Sequence, residues 1–363
     1  MKRIEYFSGC ETQYLISLGL IDKSKGTFTG LYKELNKEWK QFRRQYCFFP
    51  EEVKDILICP YEKLVDYFIF FNKEIFKETK RDYQQFKNKL ENINKFFDVS
   101  KYFKYNYNKK GDKHFSDKIA EFFIQYENEI NIYSCFYCDS AYAGVFEQTN
   151  LNVEKKRRTF DVDHFFPNAQ YPMFSLSLYN FVPSCQICNS RIKGSSNFLQ
   201  FYQFIKVDSN IIVEEFEPTN AKEELLLISP LSQKYNFSIN LKLHVFPKSN
   251  TINHWHYHPK VSNNVDDYSI IFDINEKLPY KKEEEAFMLE DRYNTIAIKF
   301  KALYLLDLKR KYPDSNIKMM SNILQKEDKL KKISTFQQLK NAIFHEDEKY
   351  ALLQKLRNDI LND

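Results

Sequence analysis

At 363 residues, with 43% hydrophobic and 17% aromatic side chains, the chain carries too much core-forming material to be disordered and is long enough for two or three folding units. A net charge of +5 permits nucleic-acid binding without demanding it. A mean hydropathy of -0.57 and the lack of any apolar run of spanning length argue against a membrane protein.

Glu5 and Glu11 interrupt every apolar stretch at the N-terminus, so no secretory signal is expected. The cysteines number seven, an odd count with four at metal-ligand spacing, which fits a reducing cytoplasm better than a disulfide framework. Cys10, Cys47 and Cys59 are expected to be ordinary buried thiols. From Leu31 to Phe123 apolar residues recur at spacings of three and four with charges between them, in LYKELNKEWKQFRRQY and VDYFIFFNKEIFKETKRDYQQFKNKLENINKFF. That period predicts helices, punctuated by Pro50 and Pro60. KYFKYNYNKKGDKHF, residues 101–115, breaks the period around Gly111 and reads as a loop beside a domain boundary.

Cys135-Phe-Tyr-Cys138 and Cys185-Gln-Ile-Cys188 come next. Each CxxC sets two sulfurs on one tight turn, and two such turns supply the four tetrahedral ligands of a structural Zn²⁺ site. The stretch between them is longer than a simple zinc ribbon needs. It contains the basic run Lys155-Lys156-Arg157-Arg158, a candidate nucleic-acid contact or a solvated face. TFDVDHFFP follows, and its alternation predicts a strand with Phe160 and Val162 toward the core and Asp161 and Asp163 sharing the opposite face. His164 points away from Asp163 in an ideal strand, so both reach one phosphate only if the strand ends or twists, as Pro167 allows.

Taken in order, Asp163-His164, Asn180 in LYNFVP and Asn189 in CNSRIKG resemble the HNH (ββα-metal, His-Me finger) endonuclease family over about Cys135 to Gly194. The resemblance implies a ββα core around one divalent metal, Mg²⁺ or Mn²⁺, held by Asp163 and Asn189. His164 is then the general base, and Asn180 orients the His164 backbone across the loop. Many members of the family carry histidine where this chain has Asn189, so this is the His-Asn-Asn form. Arg191 and Lys193 are the expected phosphate contacts. The implied substrate is DNA more than RNA. DHFFPNAQYPMFSLSLYNFVPSCQICNSRIKG is also similar to HNH subunits of bacterial anti-phage systems of the Septu type, in which an ATPase partner controls the nuclease.

Beyond the motif, SSNFLQFYQFI is expected to follow the core helix. KEELLLISPL, FSINLKLHVFP and YSIIFDINEKL then predict a small sheet, and helices return from Lys282. His254, His256 and His258 would share one strand face, but no nearby carboxylate or cysteine completes a metal site.

The expected architecture is α+β: a helical N-terminal domain at 1–125, a zinc-stapled HNH core at 126–205 and a mixed C-terminal region at 206–363. The expected function is metal-dependent phosphodiester hydrolysis, acting in anti-phage defence, in the cytoplasm and without a membrane partner. The alternatives are a zinc-dependent nucleic-acid-binding or scaffold protein that has lost catalysis, and a stand-alone restriction or homing nuclease.

Overall fold

The structure is a computed structural model that describes residues 3–79, 83–99, 114–150, 153–193, 205–208, 211–215, 218–235, 240–245, 268–273, 285–326 and 336–344. It combines helices with small antiparallel sheets, an α+β composition. Two compact units result: residues 2–137 with 141–237, and residues 238–363 with 138–140. The boundaries expected at 125 and 205 both fall inside the first unit.

That unit begins with helices α1 (Cys10–Ser17), α2 (Gly30–Arg43), α3 (Val53–Leu57), α4 (Tyr61–Glu78), α5 (Tyr83–Val99), α6 (Phe115–Gln125) and α7 (Glu127–Ile130). The periodicity of α2 explains its placement: Tyr32, Leu35, Trp39 and Phe42 form one buried stripe, and Thr29 caps the helix by accepting from the Tyr32 amide. Pro60 stands immediately before α4, where its missing N–H costs nothing. Tyr61, Leu64, Val65, Phe68, Phe71 and Ile75 then bury a stripe wide enough to take packing on two sides.

Strands β1 (Val145–Asn150) and β2 (Val153–Arg158) pair antiparallel, as do β3 (Asp161–His164) and β4 (Phe181–Ser184). A short π-helix, Ile187–Lys193, follows β4. The loop between β3 and β4 lies against the α4 stripe. Phe166 packs its ring on Phe68 at 4.8 Å, on Phe174 at 5.4 Å and on Tyr61 at 5.9 Å. Polar ties fix the same loop. Tyr14 donates to the Leu176 carbonyl at 2.8 Å, Ser177 to the Ile56 carbonyl at 2.7 Å, and Tyr171 to the Asn72 side chain at 3.1 Å. The helices and the motif therefore share one core.

Strands β5 (Ile205–Asp208) and β6 (Ile211–Glu215) precede α8 (Pro218–Ile228). KEELLLISPL is thus mostly helical where a strand was expected. Ala221, Leu225 and Ile228 recur at helical spacing and are buried, and Tyr61 donates to the Leu225 carbonyl at 3.1 Å. In the second unit β7 (Asn240–Val245) pairs with β8 (Tyr268–Asp273), as expected, and α9 (Leu289–Tyr293), α10 (Ile296–Lys311), α11 (Asp314–Lys326) and α12 (Phe336–Phe344) follow. Asn294 ties helix to strand, bonding both the N–H and the C=O of Ile270 at 2.7 Å. Among the described residues no helix is long and apolar enough to cross a membrane.

Replacing Phe166 by alanine should cost about 3–5 kcal/mol, because the surrounding rings cannot collapse into the space it leaves. Phe146→Ala should stay within about 0.5 kcal/mol, since that ring is half exposed on β1. Denaturant unfolding of the two variants checks the difference.

Candidate active site and metal centre

Cys135, Cys138, Cys185 and Cys188 bring their sulfurs within 4.8 Å of one another, and all four are buried. A Zn–S bond of about 2.3 Å in a tetrahedron spaces sulfurs about 3.8 Å apart, so a small closure completes such a shell. Among the described residues this is the one cluster of three or more His, Cys, Asp or Glu that could hold a metal ion. Local bonds shape each turn. The Cys135 amide donates to Ala141 O at 2.9 Å, Ser140 donates to the Cys138 sulfur at 3.3 Å, and the Cys188 amide donates to the Cys185 sulfur at 3.4 Å. The Phe136 amide joins the first knuckle to β4 through Pro183 O at 3.2 Å, and the Asn189 amide opens the π-helix on Cys185 O at 3.0 Å. Of the other thiols, Cys10 and Cys59 are buried as expected and burial pushes both up to about 12, but Cys47 is exposed.

β3 presents Asp161 and Asp163 on one face, and the π-helix answers with Asn189 and Lys193, four residues apart. Asp161 accepts from the Asn189 amide nitrogen at 3.2 Å. With that nitrogen held on Asp161, the Asn189 side-chain oxygen is the atom of this residue that could ligate a cation. Asp163 Oδ2 accepts from the Tyr137 hydroxyl at 2.7 Å and pairs with the Lys193 ammonium. Lys193 also donates to the His164 carbonyl at 2.6 Å. Lys193 therefore departs from the expected phosphate contact: it is buried, with its charge turned inward against Asp163. Arg191, from the same segment, is exposed.

His164 lies at the end of β3, its ring 5.0 Å from that of Phe181. Its Nε2 is 3.0 Å from the Ser175 carbonyl, which can only accept, so Nε2 carries the proton and Nδ1 is the basic nitrogen. Burial lowers its pKa to about 4; the nearby Lys193 charge adds to this, while the Ser175 bond and Asp163 oppose it. Asn180 is fully buried. It accepts from the Phe166 amide at 2.7 Å and donates to the carbonyls of Phe166 at 3.1 Å and Phe174 at 3.0 Å. It thus clamps the loop two residues beyond His164 and does not bond the His164 backbone itself.

The basic run at 155–158 forms β2, the second strand of a ribbon, rather than a lead-in to β3. Lys155 lies on that strand; Lys156 and Arg157 are exposed, and Arg158 is half-buried with its guanidinium 5.8 Å from the Phe160 ring. His254, His256 and His258 lie outside the described residues, as does the stretch at 101–113. Two contributors to the site were not expected: Tyr137, inside the first knuckle, and the Ser175 carbonyl. Only Tyr137 left a sequence signal, a polar aromatic between two metal ligands. No protein-family model, curated protein or solved structure matches the chain.

The purified protein should carry one equivalent of zinc, and Cys188→Ser should lose it together with several degrees of thermal stability. Metal analysis and calorimetry check both. His164 yields a second expectation. Its folded-state pKa lies below the unfolded value of 6.5, so the unfolded chain takes the proton first. Its contribution to stability is complete above about pH 6.5 and is lost as the pH falls toward 4, at up to about 1.4 kcal/mol per unit. Unfolding of wild type and His164→Gln across this range should show the steeper loss in wild type.

Proposed function

We propose that the chain is a metal-dependent endonuclease of the HNH type, hydrolysing phosphodiester bonds of nucleic acid, DNA in preference to RNA. The observation that carries this reading is the meeting of β3 and the π-helix beside a four-cysteine cluster, where Asn189 bonds Asp161, Lys193 bonds Asp163, and His164 follows on the same strand. Oxygen donors from Asp163 and Asn189 suit a hard divalent ion, and the position beside Asp163 already accepts positive charge in the form of Lys193. Such an ion, when bound, supplies charge stabilisation to the phosphate and the departing oxygen.

The chain's own residues carry the proton. The Ser175 carbonyl holds His164 in the tautomer whose Nδ1 can accept a proton from a water molecule. The imidazolium formed is stabilised by that carbonyl and by the Asp163 charge. A phosphodiester entering the site brings negative charge of its own, which raises the basicity that burial has lowered. Asp161 orients the Asn189 amide, and Asn180 keeps the loop behind His164 from shifting. Arg191, Lys156 and Arg157 are exposed cations suited to the nucleic-acid backbone. The Septu-type resemblance extends the proposal to anti-phage defence in the cytoplasm, under control of an ATPase partner.

One observation favours a second reading. With Lys193 seated on Asp163, the fold is complete without a catalytic ion, as in a zinc-dependent nucleic-acid-binding protein that has lost catalysis. Incubation of supercoiled plasmid, single-stranded DNA and RNA with zinc-loaded protein and Mg²⁺ or Mn²⁺ separates the two. The nuclease reading expects metal-dependent cutting that His164→Ala lowers by about 10²–10⁴-fold. Cutting that survives in His164→Ala contradicts it, and no cutting by the folded, zinc-loaded protein points to the binding reading or to a missing partner.

A further inference from the structure

Asp163 and Lys193 form an ion pair within the site, and their side chains are 10% and 8% exposed. Proton transfer at His164 makes no use of this lysine. We propose that Lys193 is an internal counterion which a divalent cation must displace from Asp163, so that this lysine sets how tightly the site takes its metal. The inference rests on the nuclease reading.

Three observations carry it. The ammonium is placed on the carboxylate oxygen that also accepts from Tyr137, and its second bond goes to the His164 carbonyl, so it is held at the centre of the site. Its ring contact with Tyr137, 5.7 Å to the centroid, adds a further attraction for a cation at this place. A second cation cannot share the oxygen with an ammonium in contact, because two positive charges in a poorly screened interior repel strongly. The lysine reaches Asp163 through a flexible four-carbon stem and a compact charge, which can withdraw more readily than a forked guanidinium could. The arrangement thus keeps a buried carboxylate paired while no ion is bound and gives it up to an ion of higher charge.

Mn²⁺ binding to zinc-loaded protein, followed by paramagnetic resonance, tests this without reference to cleavage. Lys193→Met should bind Mn²⁺ at least about tenfold more tightly than wild type, since the competing charge is gone. Adding Asp163→Asn to that variant should abolish the gain, which locates the ion. Unchanged or weaker binding in Lys193→Met that retains its zinc and circular dichroism overturns the proposal, and so does a gain that survives Asp163→Asn. Wild type provides an independent measurement should Lys193→Met fail to fold. Labelling of Lys193 by an amine-reactive reagent, read by mass spectrometry, should rise at saturating Mn²⁺, and constant labelling overturns the proposal. A protein that cuts DNA while Lys193→Met binds Mn²⁺ as wild type does loses this inference alone. One that never cuts but binds Mn²⁺ more tightly as the variant keeps the counterion and loses the nuclease reading.

Discussion

Four sulfurs within 4.8 Å of one another determine where two distant turns of the chain meet, and the rest of the site follows from that meeting. Tyr137 sits between the first two cysteines, Asn189 directly follows the last, and Lys193 lies four residues further on. Each turn that carries sulfur therefore also delivers a side chain to the carboxylates of β3. A bound structural zinc contributes on the order of 10 kcal/mol to small domains of this kind, enough to hold an otherwise costly set of buried charges in register. The Asp163–Lys193 pair needs that support, because an ion pair does not stabilise a fold merely by being buried.

Aromatic packing supplies the second support. Phe166, Tyr171 and Phe174 place the β3–β4 loop against Phe68 and Phe71 of α4, while Tyr14, the Ile56 carbonyl and Asn72 satisfy polar groups the loop would otherwise bury alone. This enclosure makes His164 neutral and defines its tautomer through Ser175. The N-terminal helices are in this sense the back wall of the site, and the burial they complete makes His164 a weak base.

Much of this arrangement was legible in the sequence because it follows short-range rules. The sulfur spacing announced the knuckles, strand alternation set Asp161 and Asp163 on one face, and spacings of three and four marked α2 and α4. Other features depend on partners far along the chain. Lys193 in CNSRIK reads as a phosphate contact, and only the meeting of the π-helix with β3 reveals that Asp163 draws it inward. Asn180 was expected to act at His164, yet the loop geometry carries its amide to Phe166. The leucine run of α8 hides its helical period until Ala221, Leu225 and Ile228 are seen buried together, and the run at 155–158 becomes a strand because β1 pairs with it. The aromatic contacts between α4 and the β3–β4 loop likewise leave no local trace in the sequence.

Hydrogen exchange with and without the cysteine-bound metal tests most directly whether the sulfur centre organises the site. On removal of the metal, peptides covering 134–142, 159–164 and 181–193 should lose most of their protection, while those from α2 and α4 keep theirs. Equal protection of the site peptides in both states would contradict the account, since the carboxylates, Asn189 and Lys193 would then be held together without the metal.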